Sequence, residues 1–255
     1  MRWLFPAIVL AGCASARVEG GNNDIDANQN NDADANNNQD DAAIPPVDTP
    51  PPPPDAPPPP PPMAVTMQQT GAANVVATQI GCQQTNPATG FTRENSYYRI
   101  YPLSDFNITK PFSISKVNFS VERATAGNGV SQPAQVKLGT YSGTLNASTF
   151  ALGSLQQLAS ATIQIPQNAT SVEVPIASFT PNTLTVQPSA LLYVEIFIPD
   201  GAAAGNTFYL GSNGGSETHP SYIRAPLCNV ASPATYATIL TSPLIRTLIT
   251  VSGSF

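Results

Sequence analysis

From residue 64 onward, apolar and polar positions alternate with a period of two. Val117, Phe119 and Val121 alternate with Asn118, Ser120 and Glu122, and Val172, Val174 and Ile176 alternate with Glu173 and Pro175. Leu192, Val194, Ile196 and Ile198 alternate with Tyr193, Glu195 and Phe197, and Ile245, Thr247, Ile249 and Val251 form a last row. Successive side chains of a strand point to opposite faces, so each row predicts a strand with one face on a core. Shorter β-type runs lie at 97–103, 135–141, 159–165, 207–211 and 221–223, and Gly, Pro, Asn and Ser fill the gaps. In 150–161, Leu152, Leu155 and Leu158 repeat every three residues, which predicts a single helical turn before the strand at 159. About eight or nine strands with no long helical period predict an all-β fold, an antiparallel β-sandwich of jelly-roll type, over residues 63–255.

The segment before this domain has a different composition. Residues 14–62 hold nine acids and one base and almost no large apolar side chains. The Asn/Asp-rich stretch 22–41 cannot bury enough surface to offset its ordering entropy, so a disordered tether is expected. Of the 27 prolines, 13 lie in 45–62. In polyproline II form those eighteen residues would reach about 55 Å, the behaviour of a spacer. The calcium-loop composition of 22–41 lacks the fixed ligand spacing of a calcium loop.

Residues 1–12 read as an export signal: Arg2, then an apolar run from Trp3 to Leu10 too short for the roughly 20 residues of a bilayer span. It ends in Leu10-Ala11-Gly12-Cys13. That tetrad resembles the bacterial lipobox, in which the cysteine is lipidated and becomes the mature N-terminus. The resemblance implies a lipoprotein with Cys13 as the acylated residue, held on the membrane by its lipid. Ala14 follows the cysteine, and resemblance to the usual lipoprotein sorting rule, in which an Asp there is the exception, implies the outer membrane of a Gram-negative cell, on its periplasmic or cell-surface side. With Cys13 assigned to lipid, Cys82 and Cys228 remain of the three cysteines, and the oxidising space beyond the membrane predicts a disulfide between them.

Charge then changes its meaning. The formal net charge is −6, but residues 63–255 carry seven acids and eight bases. A nearly neutral domain argues against nucleic acid as a partner. Chemistry-bearing residues are few. His219, the single histidine, lies in a turn-rich loop; no nucleophile–His–carboxylate pattern, phosphate loop or dinucleotide fingerprint surrounds it. Among the acids, Glu122, Glu173 and Glu195 occupy outward strand positions, where a pair across a cleft would make a hydrolase. Asp200, Asn206, Asn213 and Glu217 offer oxygen ligands in a glycine-rich region, and calcium is the ion such a set would take. Alternation puts Tyr97, Arg99 and Tyr101 on one face, where the two rings would stack on sugar if exposed; Arg99 would otherwise pair with Asp105. The single Trp, Trp3, leaves with the signal, which weakens a carbohydrate-binding reading.

The stretches Asn95-Ser-Tyr-Tyr-Arg99-Ile-Tyr101, Asp105-Phe106-Asn-Ile-Thr109, Ile114-Ser-Lys-Val117-Asn-Phe119-Ser-Val121-Glu122 and Val194-Glu-Ile-Phe-Ile-Pro199-Asp200-Gly201 carry a further resemblance. Gly205-Asn206-Thr-Phe208, Gly211-Ser212-Asn213, Pro220-Ser221-Tyr222 and Cys228 complete it. Together they are similar to an uncharacterised β-sandwich module repeated on secreted and surface proteins of bacteria, often beside proteases or sorting domains. The resemblance covers nearly all of 70–255 and implies architecture and extracellular location, not activity. The expected function is a non-enzymatic, surface-tethered lipoprotein whose β-sandwich binds or adheres to a glycan or a surface protein. A carbohydrate-binding module for envelope or environmental polysaccharide, and a hydrolase with an unrecognised carboxylate pair, are the alternatives.

Overall fold

A computed structural model describes residues 60–84, 90–240 and 245–255. The signal, Cys13 and nearly all of the tether lie outside the described residues. The strands are β1 (Ala64–Gln68), β2 (Asn95–Pro102), β3 (Phe112–Thr125), β4 (Ser131–Tyr141), β5 (Leu155–Pro166), β6 (Ser171–Pro175) and β7 (Thr185–Val186). They continue as β8 (Leu191–Ile198), β9 (Thr207–Leu210), β10 (Ser212–Asn213), β11 (Tyr222–Ala225), β12 (Val230–Thr235), β13 (Arg246–Thr247) and β14 (Ile249–Ser254). The single α-helix among the described residues, α1 (Tyr236–Ile239), is one turn long.

The fold is an all-β sandwich of antiparallel sheets. One six-stranded sheet has the order β12-β11-β2-β8-β4-β5. The other runs β1-β14-β3-β6, with β7 and β9 also paired to the long β3. The fourteen strands exceed the eight or nine expected, because β7, β10 and β13 are two residues each and too short to show a period, and β1 and β12 carry no alternating row. The row from Ile245 to Val251 is likewise cut at Leu248 into β13 and β14, which pair with different neighbours. The threefold leucine repeat resolves into a 3-10 turn at Leu152–Ser154 that leads into β5.

The alternating rows meet between the sheets. Val117, Phe119 and Val121 of β3 and Ile249 and Val251 of β14 pack in one core with Val136 and Leu138 of β4 and Leu192, Val194 and Ile196 of β8. β2 is buried along its whole length, on both faces. Its outward residues Tyr98 and Ile100 join Tyr141, Phe150, Tyr193 and Tyr222 in a second apolar cluster. The outer face of this sheet is therefore covered by its own loop, which brings Phe150 over β2 and β11.

The Cys82–Cys228 disulfide is present, with Cα atoms 5.8 Å apart and a sequence separation of 146. It ties the chain ahead of β2 to the turn between β11 and β12. The chain-entropy model gives about 5 kcal/mol as the upper stabilisation for a loop of that length.

Candidate functional site

β2 turns Tyr97, Arg99 and Tyr101 to one face, as alternation requires, but that face is the interior. All three are 0% exposed. The Tyr97 hydroxyl donates to the Ile80 carbonyl at 2.9 Å and the Tyr101 hydroxyl to the Ile249 carbonyl at 2.6 Å. Burial raises both phenols above the ordinary range, so they stay protonated. The expectation of an exposed stacking platform is corrected: both rings belong to the core between the sheets, and their hydroxyls satisfy the backbone carbonyls of Ile80 and of Ile249 in β14.

Arg99 is the most heavily bonded side chain of the row. Its Nε and Nη2 donate to the Thr247 carbonyl at 3.1 and 2.7 Å. Its Nη1 donates to the His219 carbonyl at 2.8 Å and pairs with Glu217 Oε2 at 2.9 Å. A buried guanidinium needs such a set, because an unpaired charge in the interior is expensive. The partner of Arg99 is thus Glu217, not Asp105. Asp105 instead lies 2.6 Å from His219 Nε2, while Asn146 Oδ1 lies 2.8 Å from Nδ1. Both ring nitrogens are taken, and three loops meet on the one imidazole.

The four proposed calcium ligands are not brought together. Asp200 accepts from the Ala202 amide and pairs with Arg93 at 3.4 Å. Asn206 Oδ1 accepts from the Gly127 amide, and Asn213 Oδ1 accepts from Gly215 while its amide donates to the Ala72 carbonyl. Glu217 is held by Arg99, Ser221 and Arg246. Each oxygen closes a turn or a charge pair of its own. Among the described residues no three His, Cys, Asp or Glu side chains group to hold an ion. The outward strand glutamates are also engaged separately: Glu122 accepts from the Thr78 and Gln79 amides, Glu173 pairs with Lys116, and Glu195 pairs with Lys137 and accepts from Tyr98.

The feature that sequence reading missed is a cleft of about 320 Å³ beside Glu217. The loop ahead of β11 supplies Glu217, Pro220 and Ser221; α1 supplies Tyr236 and Thr238; β13 supplies Arg246. Ser221 Oγ donates to Glu217 Oε2 at 3.0 Å and accepts from the Thr247 amide at 3.0 Å, so the carboxylate is fixed from two sides. Arg246 Nε faces Glu217 Oε1 at 3.1 Å. Tyr236 is buried, its phenol raised by burial first and by Tyr97 second, and its hydroxyl has no hydrogen-bond partner among the described residues. No period or motif marks Tyr236 in the sequence, because a one-turn helix has none. Comparison with protein-family models, with curated proteins and with solved structures found no match to this chain.

Proposed function

We propose that the chain is a lipoprotein of the bacterial outer membrane that presents its β-sandwich, on an Asn/Asp- and Pro-rich spacer, as a non-enzymatic binding module. The observation that carries this reading is the Leu10-Ala11-Gly12-Cys13 tetrad at the end of a short apolar run. The Cys82–Cys228 pair supports it, since of three cysteines it leaves Cys13 for the lipid. A Pro-rich spacer suits this reading: its composition would allow a reach of about 55 Å in polyproline II form, enough to hold a nearly neutral domain off a bilayer. A binding role is supported by the arrangement of the reactive groups. His219 is held between two loop acceptors, Ser221 donates to Glu217, and the cleft beside them is lined by groups fixed in place.

The test is metabolic labelling with a palmitate analogue in a Gram-negative host, followed by membrane fractionation. The parent chain is expected to take the label and to sediment with outer membranes, and Cys13→Ser to lose both. Equal labelling of the two chains, or a parent found only in the soluble fraction, overturns the tethered reading.

A further inference from the structure

We propose that Asn107 is a glycosylation site, whose side-chain amide accepts an oligosaccharide from a polyprenyl-diphosphate-linked donor. This rests on the reading of the chain as an exported lipoprotein, because the transfer takes place beyond the inner membrane.

The chain holds four Asn-x-Ser/Thr triplets, at Asn107, Asn118, Asn146 and Asn168, none with proline in the middle. That triplet is the acceptor pattern for N-linked sugar. Bacterial transferases add a requirement, an acid two residues ahead of the asparagine, which a cation of the enzyme holds. Asp105-Phe106-Asn107-Ile108-Thr109 meets it, whereas Lys116, Thr144 and Pro166 stand at that place before the other three. In the transfer, the amide nitrogen of Asn107 bonds to the anomeric carbon of the first sugar. The bond from that carbon to the diphosphate oxygen breaks, the polyprenyl diphosphate leaves with the electron pair, and the amide gives up one proton.

The fold leaves room for a glycan at this residue. Asn107 ends the 3-10 turn Leu103–Phe106 between β2 and β3, in the left-handed region at φ 56°. Its backbone amide donates to the Ser104 carbonyl at 3.1 Å, while its side chain is exposed and bonds to no described residue. Thr109 is exposed two residues on, and the Asp105 side chain is 40% exposed although it meets His219. Ile108 between them is buried in the core, so the transferase takes the segment before it docks or when it opens locally. Once the segment is docked, a sugar on Asn107 stands in solvent and displaces nothing. The other triplets lack one condition or both. Asn118 lies in β3 with β14 and β6 paired on either side, and Asn146 Oδ1 is tied to His219 Nδ1 at 2.8 Å. Asn168 is exposed in the turn between β5 and β6, but Pro166 and not an acid precedes it.

The experiment produces the full chain in a Gram-negative host that carries a bacterial oligosaccharyltransferase and its polyprenyl-diphosphate-linked oligosaccharide. Mass spectrometry of the intact chain and of its proteolytic peptides reads the product. The parent is expected to gain the mass of one oligosaccharide, on the peptide that holds Asn107. Asn107→Gln and Thr109→Ala should abolish the gain, Thr109→Ser should keep it, and Asp105→Asn should lower occupancy severalfold. An unmodified parent in cells that glycosylate a control acceptor overturns the proposal, as does sugar on Asn118, Asn146 or Asn168 in its place. The palmitate label, followed in the same cells, separates the two readings. A parent that takes the lipid and no sugar removes the glycosylation site alone, whereas a parent with neither removes the exported lipoprotein and the site with it.

Discussion

Arg99 shows how far a single position can be read. Its neighbours Tyr97 and Tyr101 share its face, and strand geometry makes that certain from the sequence. Whether the face is wet depends on Glu217 and Thr247, which stand 118 and 148 residues further along the chain. The pair is asymmetric, because the Arg99 side chain is 0% exposed and that of Glu217 is 12% exposed. Removing the carboxylate therefore leaves a fully buried cation with carbonyl partners only. Glu217→Ala is expected to cost about 3–5 kcal/mol, the range for breaking a buried ion pair, measured by urea unfolding. A loss below about 1 kcal/mol would place the pair with solvent-exposed ones and refute its interior role.

Elements were legible where they were long. The rows in β3, β8 and β14 are plain in the sequence because one face of each is apolar over five or more residues. β2 was placed, but its double-sided burial was not, because its outer face is covered by a loop with no periodic signal. Phe150 makes that cover. Its ring lies 5.6 Å from Tyr98, 5.1 Å from Tyr141 and 5.0 Å from Tyr222, centroid to centroid, in edge-on contacts. Aromatic pairs of this geometry add to the area they bury. Phe150→Ala should lower stability by about 3–5 kcal/mol and reduce the near-ultraviolet circular dichroism of the tyrosines. Retained stability together with an unchanged tyrosine signal would show that the loop does not pack on the sheet. The candidate cleft belongs to this scale too. Its residues come from a loop, a single helical turn and a two-residue strand, none long enough to carry a pattern.

At the scale of the molecule, all eight tyrosines lie in residues 63–255, and no Trp follows Trp3. Tyrosine chemistry therefore reports on the whole domain. Burial raises Tyr97, Tyr98, Tyr101, Tyr222 and Tyr236 far above the ordinary value and pushes Tyr193 up to about 12. The unfolded chain ionises near the ordinary phenol value of about 10. A raised folded value means that the native state holds its protons more tightly, so this contribution is intact below about pH 10 and is lost as the pH rises through about 12 and beyond. An alkaline titration followed by phenolate absorbance should show few tyrosines ionising before the fold is lost, after which the rest appear cooperatively. Smooth titration of all eight near pH 10 with the fold intact would contradict the packing described. Neutrality has a counterpart here: with the acidic excess in residues 14–62 and seven acids against eight bases in 63–255, encounter of the domain with any partner would depend little on long-range steering.

The sequence by itself determined the fold class, the alternation of the rows in β3, β6, β8 and β14 and the expected cysteine pairing, from local properties of the chain. Strand alternation is a property of the local backbone, and a disulfide between two remaining cysteines follows from counting. What only the tertiary structure decided is which faces are covered and which polar groups meet. Burial of Arg99, the closure of Phe150 over β2 and the gathering of Glu217, Tyr236 and Arg246 around one cleft each join residues remote in the chain. Such contacts are fixed by the packing of two sheets and leave no period in the residues that make them.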